Sequence, residues 1–304
     1  MGYAVGVDIG GTKVAIAIVK TTGQIVAETI LPTDITIPPE SMITLICDQI
    51  RVLINDTKLE QSAIIGIGIG APGPLDSKKG MITNPPNLSS WIDIPICDMM
   101  EEKCSLPVVL ENDANAAALA EKRLGAAIEN ENMTYITVST GIGSGIIVDG
   151  RLLKGRKGNA GDIGHMVVDP SFGPCVCGQF GCLESIASGT AIAAHGSKIV
   201  GKSLTTKDVF RYYDRGHPEI VSYIDRVFTV LGIACVNVIN TVDPEKIVIG
   251  GGVSKVGEPL FQAIRTYVSQ YALNETGRNT EIVPAKLDQQ AGVIGAAALC
   301  FIDE

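Results

Sequence analysis

Two stretches of this chain repeat one arrangement of apolar segments and glycine turns. Residues 3–9 and 14–20 are apolar segments of strand length, and a turn with two adjacent glycines joins them at 10–13. A third segment near 24–30 completes a predicted meander of antiparallel strands. The succession of strand, glycine turn, strand, turn and strand begins again at 134, about half a chain later. The pattern therefore predicts an internal duplication.

The second copy predicts a strand at 134–139, a glycine-rich turn at 140–145, and short strands at 146–149 and 151–154. Glycine allows the backbone to approach a ligand closely. Because each copy has one such turn, we expect a ligand to sit between the two.

Other periodic segments predict helices and buried strands in alternation. Helices are expected near 39–57, 113–124, 218–241, 257–271 and 290–300, and buried strands near 64–69, 107–110, 246–249 and 281–283. The second of these helices has Asp113 at its expected N-cap and Gly125 directly after its last residue. Strands that alternate with helices indicate a layered α/β fold.

Composition narrows the classes of function. Hydrophobic residues make up 46% of the 304 residues and charged residues 19%, a balance typical of a globular protein. The formal net charge of -9 opposes nucleic-acid binding, which needs a basic surface. No apolar run reaches the roughly 20 residues that span a bilayer, and the first residues lack the basic stretch of an export signal. We therefore expect a cytoplasmic protein with no membrane partner.

The first glycine turn has the residue types of a phosphate-binding loop. Its sequence, DIGGTK at 8–13, offers the N–H groups of Gly10 and Gly11, the Thr12 hydroxyl and the Lys13 ammonium as donors to phosphate. Asp8, at the tip of the strand, is expected to hold a hydrated Mg²⁺. A tight β-hairpin without a ligand is an equally good interpretation of this turn alone.

Two further glycine turns favour phosphate binding. The segment TGIG at 140–143 is an equivalent loop, so the two loops are expected to hold a triphosphate from two sides. The glycines at 250–252 follow a buried strand and suit an adenine or a ribose. No Walker A sequence occurs, which excludes the P-loop class of NTPase but not phosphoryl transfer.

A carboxylate stands between the strand at 107–110 and the helix that follows it. Phosphoryl transfer to an alcohol needs a carboxylate that orients the acceptor hydroxyl and takes its proton. Asp113 fits this role by its position, and Asn112 is suited to hydrogen bonding with a polyol. The simpler interpretation of Asp113 is a plain helix N-cap, which the local sequence alone favours.

Three cysteines and one histidine have the spacing of a structural zinc site. His165, Cys175, Cys177 and Cys182 give the pattern H-x₉-C-x-C-x₄-C. Three thiolates and one imidazole form a closed tetrahedral set with no position for water. Three buried free thiols are the alternative.

Two acidic residues bracket this cluster. Asp162 precedes His165, and Glu184 follows Cys182, so the metal is expected to hold the three polar side chains around one pocket. His165 would bind zinc through one ring nitrogen and offer the other to a sugar hydroxyl. A solvated loop is the alternative interpretation for both acids.

Together these motifs resemble the ROK family (repressor, open reading frame, kinase). The matching segments occur in the family's order and extend over nearly the whole chain: DIGGTK at 8–13, GAPGPLD at 70–76, ENDANAA at 111–117, TGIGSG at 140–145, GNAGDIGH at 158–165, CVCGQFGCLE at 175–184 and IVIGGGVS at 247–254. The cysteine segment and ENDANAA are specific to the family, whereas the glycine turns alone are not.

The resemblance implies an ATP-dependent hexokinase with an actin-like ATPase (RNase H-like) α/β fold and two domains around a central cleft. It implies a small domain at 1–112 plus 290–304, and a large domain at 113–289 with the zinc-binding loop. A homodimer or homotetramer is expected. Its ligands would be ATP with Mg²⁺, a structural Zn²⁺, and a hexose or N-acetylhexosamine.

The resemblance also implies roles for individual residues. Asp113 is the general base on the sugar 6-hydroxyl. The residues expected to bind the sugar are Asn87, Asn112, Asp113, Asp162, His165 and Glu184. Those expected to bind ATP are Asp8, Gly10, Gly11, Thr12, Lys13, Thr140, Gly141, Ile142, Gly143, Gly250 and Gly251. The expected zinc ligands are His165, Cys175, Cys177 and Cys182.

One position departs from the family pattern and leaves the sugar open. Glucose kinases of the family usually carry Glu where this chain has Asp162, which is one methylene shorter. The segments between 136 and 189 are also similar to bacterial N-acetylmannosamine kinases, some of which vary at this position. Glucose is therefore the default substrate, and N-acetylmannosamine, N-acetylglucosamine and fructose are the alternatives.

Two other classes of function compete with the kinase. The family also contains sugar-sensing transcriptional repressors, which carry a helix-turn-helix domain before the DIGGTK segment. Here Asp8 lies too near the first residue for such a domain, so a repressor is not expected. The other class is a sugar-binding protein without catalysis, and the presence of both Asp8 and Asp113 argues against it.

Overall fold

The computed structural model describes residues 2–85, 87–287 and 290–301. Its strands are β1 (Tyr3–Ile9), β2 (Lys13–Lys20), β3 (Ile25–Pro32), β4 (Ile64–Ala71), β5 (Leu75–Asp76), β6 (Met81–Ile82), β7 (Val108–Asn112), β8 (Met133–Val138), β9 (Ile142–Val148), β10 (Arg151–Leu152), β11 (Lys246–Gly250) and β12 (Glu281–Pro284). Its α-helices are α1 (Pro39–Thr57), α2 (Ile96–Cys104), α3 (Asp113–Leu124), α4 (Leu183–Ala187), α5 (Gly189–Val200), α6 (Thr206–Asp214), α7 (Pro218–Val242), α8 (Glu258–Tyr271), α9 (Glu275–Arg278) and α10 (Ala291–Ala298).

The second glycine turn is shorter than its sequence predicts. Strand β9 begins at Ile142, inside the predicted turn at 140–145, so Gly143 and Gly145 are strand residues. Gly143 lies opposite Thr137 of β8, and Gly145 lies opposite Tyr135. The apolar residues that flank these glycines hold the segment in the sheet, and this pairing overrides the weak strand preference of glycine.

The chain divides into two compact units. The described residues of the first fall within Met1–Ile128, Leu152–Ala160 and Gln289–Glu304, and those of the second within Glu129–Arg151 and Gly161–Asp288. This division differs from the predicted one because α3 belongs with the first unit. Helix α3 packs tightly against α10, where a side chain on Gly295 would overlap the backbone of Ala116.

The first unit is built on a five-stranded sheet in the order β3-β2-β1-β4-β7. Strands β1, β2 and β3 form an antiparallel meander, and β4 and β7 extend the sheet in parallel. Helix α1 covers one face with apolar residues such as Met42 and Ile46. Helix α10 covers the other face so closely that side chains on Gly6 and Gly68 would overlap its carbonyl oxygens. Glycine at these two positions therefore sets the depth at which α10 lies on the sheet.

The second unit repeats this topology. Its sheet has the order β10-β9-β8-β11-β12, with β8 and β9 antiparallel and with β11 parallel to both β8 and β12. The predicted internal duplication is therefore confirmed. The largest apolar cluster of this unit includes residues of α7, such as Val227 and Leu231, and residues of α8, such as Ile264. Among the described residues, no helix is both long enough and apolar enough to span a bilayer.

Candidate active site

Helix α3 begins at the carboxyl end of β7, where the two functional side chains predicted from ENDANAA stand. Its N-cap is Asn112, whose Oδ1 accepts hydrogen bonds from the N–H groups of Ala114 at 3.0 Å and Asn115 at 3.3 Å. The prediction of Asp113 as the cap was wrong, because the backbone of Asn112 is still extended and Asp113 is the first helical residue. The Asn112 side chain also hydrogen-bonds to the Asp113 carboxyl, and because Nδ2 carries two hydrogens it can donate to a ligand as well.

Asp113 and Asp8 are two interacting carboxylates of the first unit. Burial, and secondly the charge of Asp8, raise the pKa of Asp113 to about 6, although the Ala114 N–H favours its ionised form. Burial likewise raises the pKa of Asp8, and the Lys13 ammonium partly offsets this. A carboxyl with a pKa just below neutral pH is ionised at neutrality and still accepts a proton well. Asp113 therefore has the electrostatics of a general base.

The buried side chain of Glu111 holds the backbone that precedes Asp113. Its Oε1 accepts hydrogen bonds from the Asn112 N–H and from the Asn115 Nδ2, both at 2.9 Å. The Lys154 Nζ lies 4.0 Å from the Glu111 Oε2. Because Glu111 is only 1% exposed, its two hydrogen bonds form away from solvent and fix the start of α3 firmly.

Gly292, near the start of α10, makes room for the Asp8 carboxylate. A side chain at this position would overlap the Asp8 Oδ2. The first turn of a helix favours a nearby negative charge because its N–H groups point toward it. Gly292 therefore shapes the surroundings of Asp8, a role that the sequence pattern gave no signal for.

The first glycine loop is held in a fixed conformation by contacts at both ends. The Gly10 N–H donates to the Lys13 carbonyl at 2.9 Å, and the Thr33 hydroxyl donates to the Gly10 carbonyl at 2.7 Å. Within the described part of the chain, the N–H groups of Gly11 and Thr12 have no protein acceptor. Asn87 is packed against Gly11, where a Cβ would come within 3.1 Å of the asparagine. Two backbone donors are thus available to a phosphate, and Asn87 lies beside them.

The second glycine loop presents an equivalent pair of donors in the second unit. The Ser139 N–H donates to the Gly141 carbonyl at 2.8 Å, which closes the turn. In the described segments, the N–H groups of Thr140 and Gly141 reach no protein acceptor. The Ile142 N–H is different, because it donates to the Glu184 Oε2 at 2.8 Å. Of the predicted phosphate donors in this loop, Ile142 is therefore already engaged by the protein.

Gly250, the last residue of β11, and Gly251, which follows it, are required by packing on the neighbouring strand. Gly250 lies against Tyr135, where a Cβ would come within 2.5 Å of the phenol oxygen. Gly251 has a φ of 88° and approaches the backbone of Val138 so closely that a Cβ would overlap it. The Ser254 hydroxyl donates to the Gly251 carbonyl at 2.8 Å. This turn is therefore rigid, whichever ligand lies beside it.

The predicted zinc ligands meet in one cluster. One donor atom from each of His165, Cys175, Cys177 and Cys182 can be chosen so that all four lie within 4.8 Å of one another. The Cys175 Sγ is 3.6 Å from the His165 Nδ1, and the Cys177 Sγ is 3.6 Å from the Cys182 Sγ. The imidazole faces the thiols through Nδ1, which leaves its Nε2 for a different partner.

The segment that carries the cysteines is anchored to α7. Arg226 forms an ion pair with Asp169 through two of its nitrogens, and its guanidinium lies 5.1 Å from the ring centre of Phe172. Phe172 also meets the His195 ring edge-on at 4.7 Å. His195 thus packs in an aromatic contact beside this segment.

Asp162 and Glu184 differ in their surroundings. Asp162 is exposed, and the preceding Gly161 carbonyl accepts a 2.5 Å hydrogen bond from the buried Ser144 hydroxyl. Glu184 is partly buried at the start of α4 and contacts the second glycine loop. Of the predicted sugar contacts in the second unit, the Asp162 carboxylate is therefore exposed, whereas the Glu184 carboxylate is hydrogen-bonded to the loop. Two supporting residues were not predicted: Ser144, inside the segment TGIGSG, and Arg226, far from the motifs in sequence.

The chain matches the ROK family over residues 4–301. It is 40% identical to the glucokinase of Halalkalibacterium halodurans, over 98% of this chain and 94% of that protein. It is 30% identical to the xylose repressor of Bacillus subtilis, over 98% of this chain and 77% of the repressor. It is similar to a solved ROK family glucokinase from Streptomyces griseus in complex with glucose and AMPPNP, with a TM-score of 0.82, 32% identity, and coverage of 98% of this chain and 99% of that one.

The chain belongs to the ROK family, as its motifs predicted. The actin-like ATPase class of α/β fold is confirmed by the same comparisons and by the duplicated sheet topology.

Proposed function

We propose that this protein is an ATP-dependent hexokinase of the ROK type, which transfers the ATP γ-phosphoryl group to the 6-hydroxyl of a hexose. The observation that carries the proposal is the Asp113 carboxyl, fixed at the start of α3 with its pKa raised to about 6. A glucokinase among the full-length relatives supports the same reaction. Glucose is the default acceptor.

The first unit supplies the base and part of the nucleotide site. The Asp113 carboxylate accepts the proton of the 6-hydroxyl as the phosphoryl group is transferred, and the Asn112 Nδ2 donates to another hydroxyl of the sugar. The free N–H groups of Gly11 and Thr12 bind phosphate oxygens together with the Lys13 ammonium. Asn87, against Gly11, contacts the sugar close to the phosphate.

The Asp8 carboxylate fits a divalent cation. It is partly buried, and burial raises its pKa, so a bound cation would stabilise its ionised form. Hard cations such as Mg²⁺ prefer oxygen ligands and usually keep several waters. Asp8 would hold Mg²⁺ through such waters, and the cation would neutralise charge on the phosphates.

The second unit supplies the remaining contacts. The free N–H groups of Thr140 and Gly141 bind phosphate, and the rigid turn at Gly250 and Gly251 accommodates the nucleoside. Hydroxyls of the sugar ring bind Asp162, Glu184 and the His165 Nε2. The backbone of Gly10 shapes the first loop, and that of Ile142 and Gly143 shapes the second.

A structural zinc fits the cluster of His165, Cys175, Cys177 and Cys182. Tetrahedral coordination with ordinary Zn–S and Zn–N bonds separates two sulfurs by about 3.8 Å and a sulfur from a nitrogen by about 3.5 Å. The two separations of 3.6 Å agree with this geometry. A metal bound there by four protein ligands would hold the His165 ring in place. We propose this structural role for the zinc. We also propose that the protein is a cytoplasmic homodimer or homotetramer.

The test of the proposed function is a coupled assay of ADP release with ATP and Mg²⁺. The panel comprises glucose, mannose, fructose, N-acetylglucosamine and N-acetylmannosamine. We expect the highest kcat/KM with glucose, which would mean that Asp162 does the work of the longer Glu. Highest kcat/KM with an N-acetyl sugar would assign the alternative substrate class, because the shorter side chain leaves space at C2. Turnover on none of the sugars would overturn the proposed kinase.

A sugar-responsive repressor is the second candidate, because the chain is similar to a xylose repressor over 77% of that protein. A repressor of this kind would bind its sugar and show no phosphoryl transfer with any member of the panel. Calorimetric titration with the same sugars and with xylose separates the two functions. Binding without ADP release would favour the repressor.

The raised pKa of Asp113 predicts the acid side of the pH–rate profile. The base works only when it is ionised, so protonation at low pH removes activity. We expect kcat/KM for the sugar to be constant above pH 7 and to fall roughly tenfold per pH unit well below the Asp113 pKa of about 6. The profile is measured at saturating ATP, with enzyme stability checked at each pH. A midpoint near pH 4 would mean that Asp113 is not the base that titrates.

A further inference from the structure

The Glu184 carboxylate lies at the junction of two sites that the proposed function assigns to different substrates. Its Oε2 accepts the Ile142 N–H at 2.8 Å, and Ile142 begins β9 directly after the second glycine loop. Its Oε1 has no partner among the described residues. Glu184 is the second residue of α4, two positions after the cluster residue Cys182. One side chain thus connects the cysteine segment with the loop.

Gly141 is shaped around this carboxylate. A Cβ on Gly141 would come within 2.5 Å of the Glu184 Oε2, which is far closer than ordinary van der Waals contact. The missing side chain of Gly141 makes room for the Glu184 Oε2, and the Ile142 N–H donates a hydrogen bond to the same oxygen. The neighbouring Thr140 and Gly141 N–H groups remain available for phosphate.

We propose that Glu184 couples sugar binding to nucleotide binding within the second unit. Its Oε2 stays on the Ile142 N–H, while its Oε1 accepts a hydrogen bond from a sugar hydroxyl. This inference rests on the proposed function, because it uses the sugar and phosphate roles assigned there. The coupling is positive: the bound sugar tightens binding of the nucleotide, and the nucleotide tightens binding of the sugar by the same factor.

Charge gives the first physical reason for this sign. An ionised carboxylate beside the loop repels the phosphate groups that Thr140 and Gly141 would bind. A sugar hydroxyl that donates to Oε1 draws part of this negative charge away from the loop. The repulsion is therefore weaker when the sugar is already in place.

Conformational order gives the second reason. The Glu184 side chain has several rotatable bonds, and it holds the loop through one hydrogen bond. A sugar that binds Oε1 restricts these rotations and keeps Oε2 on the Ile142 N–H. The nucleotide then binds to a loop that is already ordered. The entropy cost of ordering the loop therefore falls on sugar binding and does not weaken nucleotide binding.

The test is a calorimetric measurement of AMPPNP affinity, with Mg²⁺, in the absence and in the presence of saturating sugar. The sugar is glucose, or the member of the panel with the highest kcat/KM. We expect the sugar to lower the Kd of AMPPNP in the unmodified protein by at least about fivefold. In Glu184→Ala the ratio of the two Kd values should fall to about one, with saturation re-established for the variant.

The matched control is Asp162→Asn. Asp162 is also a proposed sugar contact, but its side chain makes no hydrogen bond to the glycine loop in the described structure. This variant should bind sugar more weakly and keep the ratio of the unmodified protein once the sugar is saturating. Gly141→Ala is a second test that leaves every proposed ligand in place. Its Cβ would displace the carboxylate from the Ile142 N–H, so its ratio should also fall toward one.

The outcomes separate this proposal from the proposed function. A ratio of one in the unmodified protein, with sugar turnover intact, overturns the coupling and leaves the kinase standing. An unchanged ratio in Glu184→Ala, or in a folded Gly141→Ala if Glu184→Ala does not fold, also overturns it. An unmodified protein that turns over no sugar overturns the kinase, and the coupling with it.

Discussion

Replacement of Asp113 by Asn is expected to lower kcat by roughly 10²- to 10⁴-fold, the range that a positioned general base contributes. The amide is nearly the same size, and its oxygen can still accept the Ala114 N–H that the carboxylate accepts at 2.8 Å. The Kd of the sugar should therefore change little. The measurement combines steady-state turnover with calorimetric sugar binding on the same preparation.

The same substitution should stabilise the protein. The folded-state pKa of Asp113 is raised above the value of 3.8 for an unperturbed carboxyl, so the protonated form favours folding. That contribution is present below about pH 4 and is lost as the pH rises through about 6. At pH 7.5 the ionised carboxylate opposes folding, and Asn removes this cost, with an expected gain of about 1–2 kcal/mol in the free energy of unfolding.

Asp208→Asn is the matched control. Asp208 also lies in the first turn of a helix, α6, but it is partly exposed and its hydrogen bonds with Thr205 lower its pKa. The control should retain turnover and lose stability at neutral pH, the opposite of Asp113→Asn on both counts. Normal turnover in Asp113→Asn would contradict its role as the base.

Removal of the metal from the cysteine cluster should have the second large effect. We expect about one zinc per chain by plasma mass spectrometry, and loss of that zinc in Cys182→Ser. Because the proposed metal would join segments from both ends of the cluster, its loss should lower Tm by roughly 10 °C, as several kcal/mol would do for a chain of this size. Sugar affinity should fall as well, since the proposed metal would orient His165.

Cys300→Ser is the control for thiol chemistry. Cys300 lies outside the cluster and is partly exposed, so its replacement should leave zinc content and Tm nearly unchanged. Chelation of the unmodified protein should reproduce the Cys182→Ser result, and added zinc should reverse it. A full complement of zinc in Cys182→Ser would contradict the assignment of the ligands.

Hydrophobic periodicity predicted the strands of both sheets and the helices α1, α3, α7, α8 and α10, because their apolar positions repeat at strand and helix spacing. It predicted the duplicated meander for the same reason, and both sheets show it. It did not predict α2, α4, α5, α6 and α9. The pattern failed at Ile142, because pairing with Val138 draws the end of the glycine turn into β9. It failed at Asn112 because Asn and Asp are similar N-cap residues, and only the backbone angles distinguish adjacent candidates.

The candidate metal ligands could be predicted from the sequence because the spacing of His and Cys residues is typical of a zinc site. The four expected metal ligands meet in one cluster because the cysteines are close in sequence and the bends at Gly178 and Gly181 fold the segment back toward His165. Supporting residues carried no such signal. Gly292 reaches Asp8, and Arg226 reaches Asp169, only through tertiary packing between segments distant in sequence.

The most direct test of the central claim is ³¹P NMR of a reaction that contains the protein, ATP, Mg²⁺ and the preferred sugar. We expect the γ-phosphate signal to be replaced by one sugar 6-phosphate signal, in equal amount to the ADP formed and absent with Asp113→Asn. Inorganic phosphate as the product, or an ATP spectrum that does not change, would contradict the account of this protein as a sugar kinase.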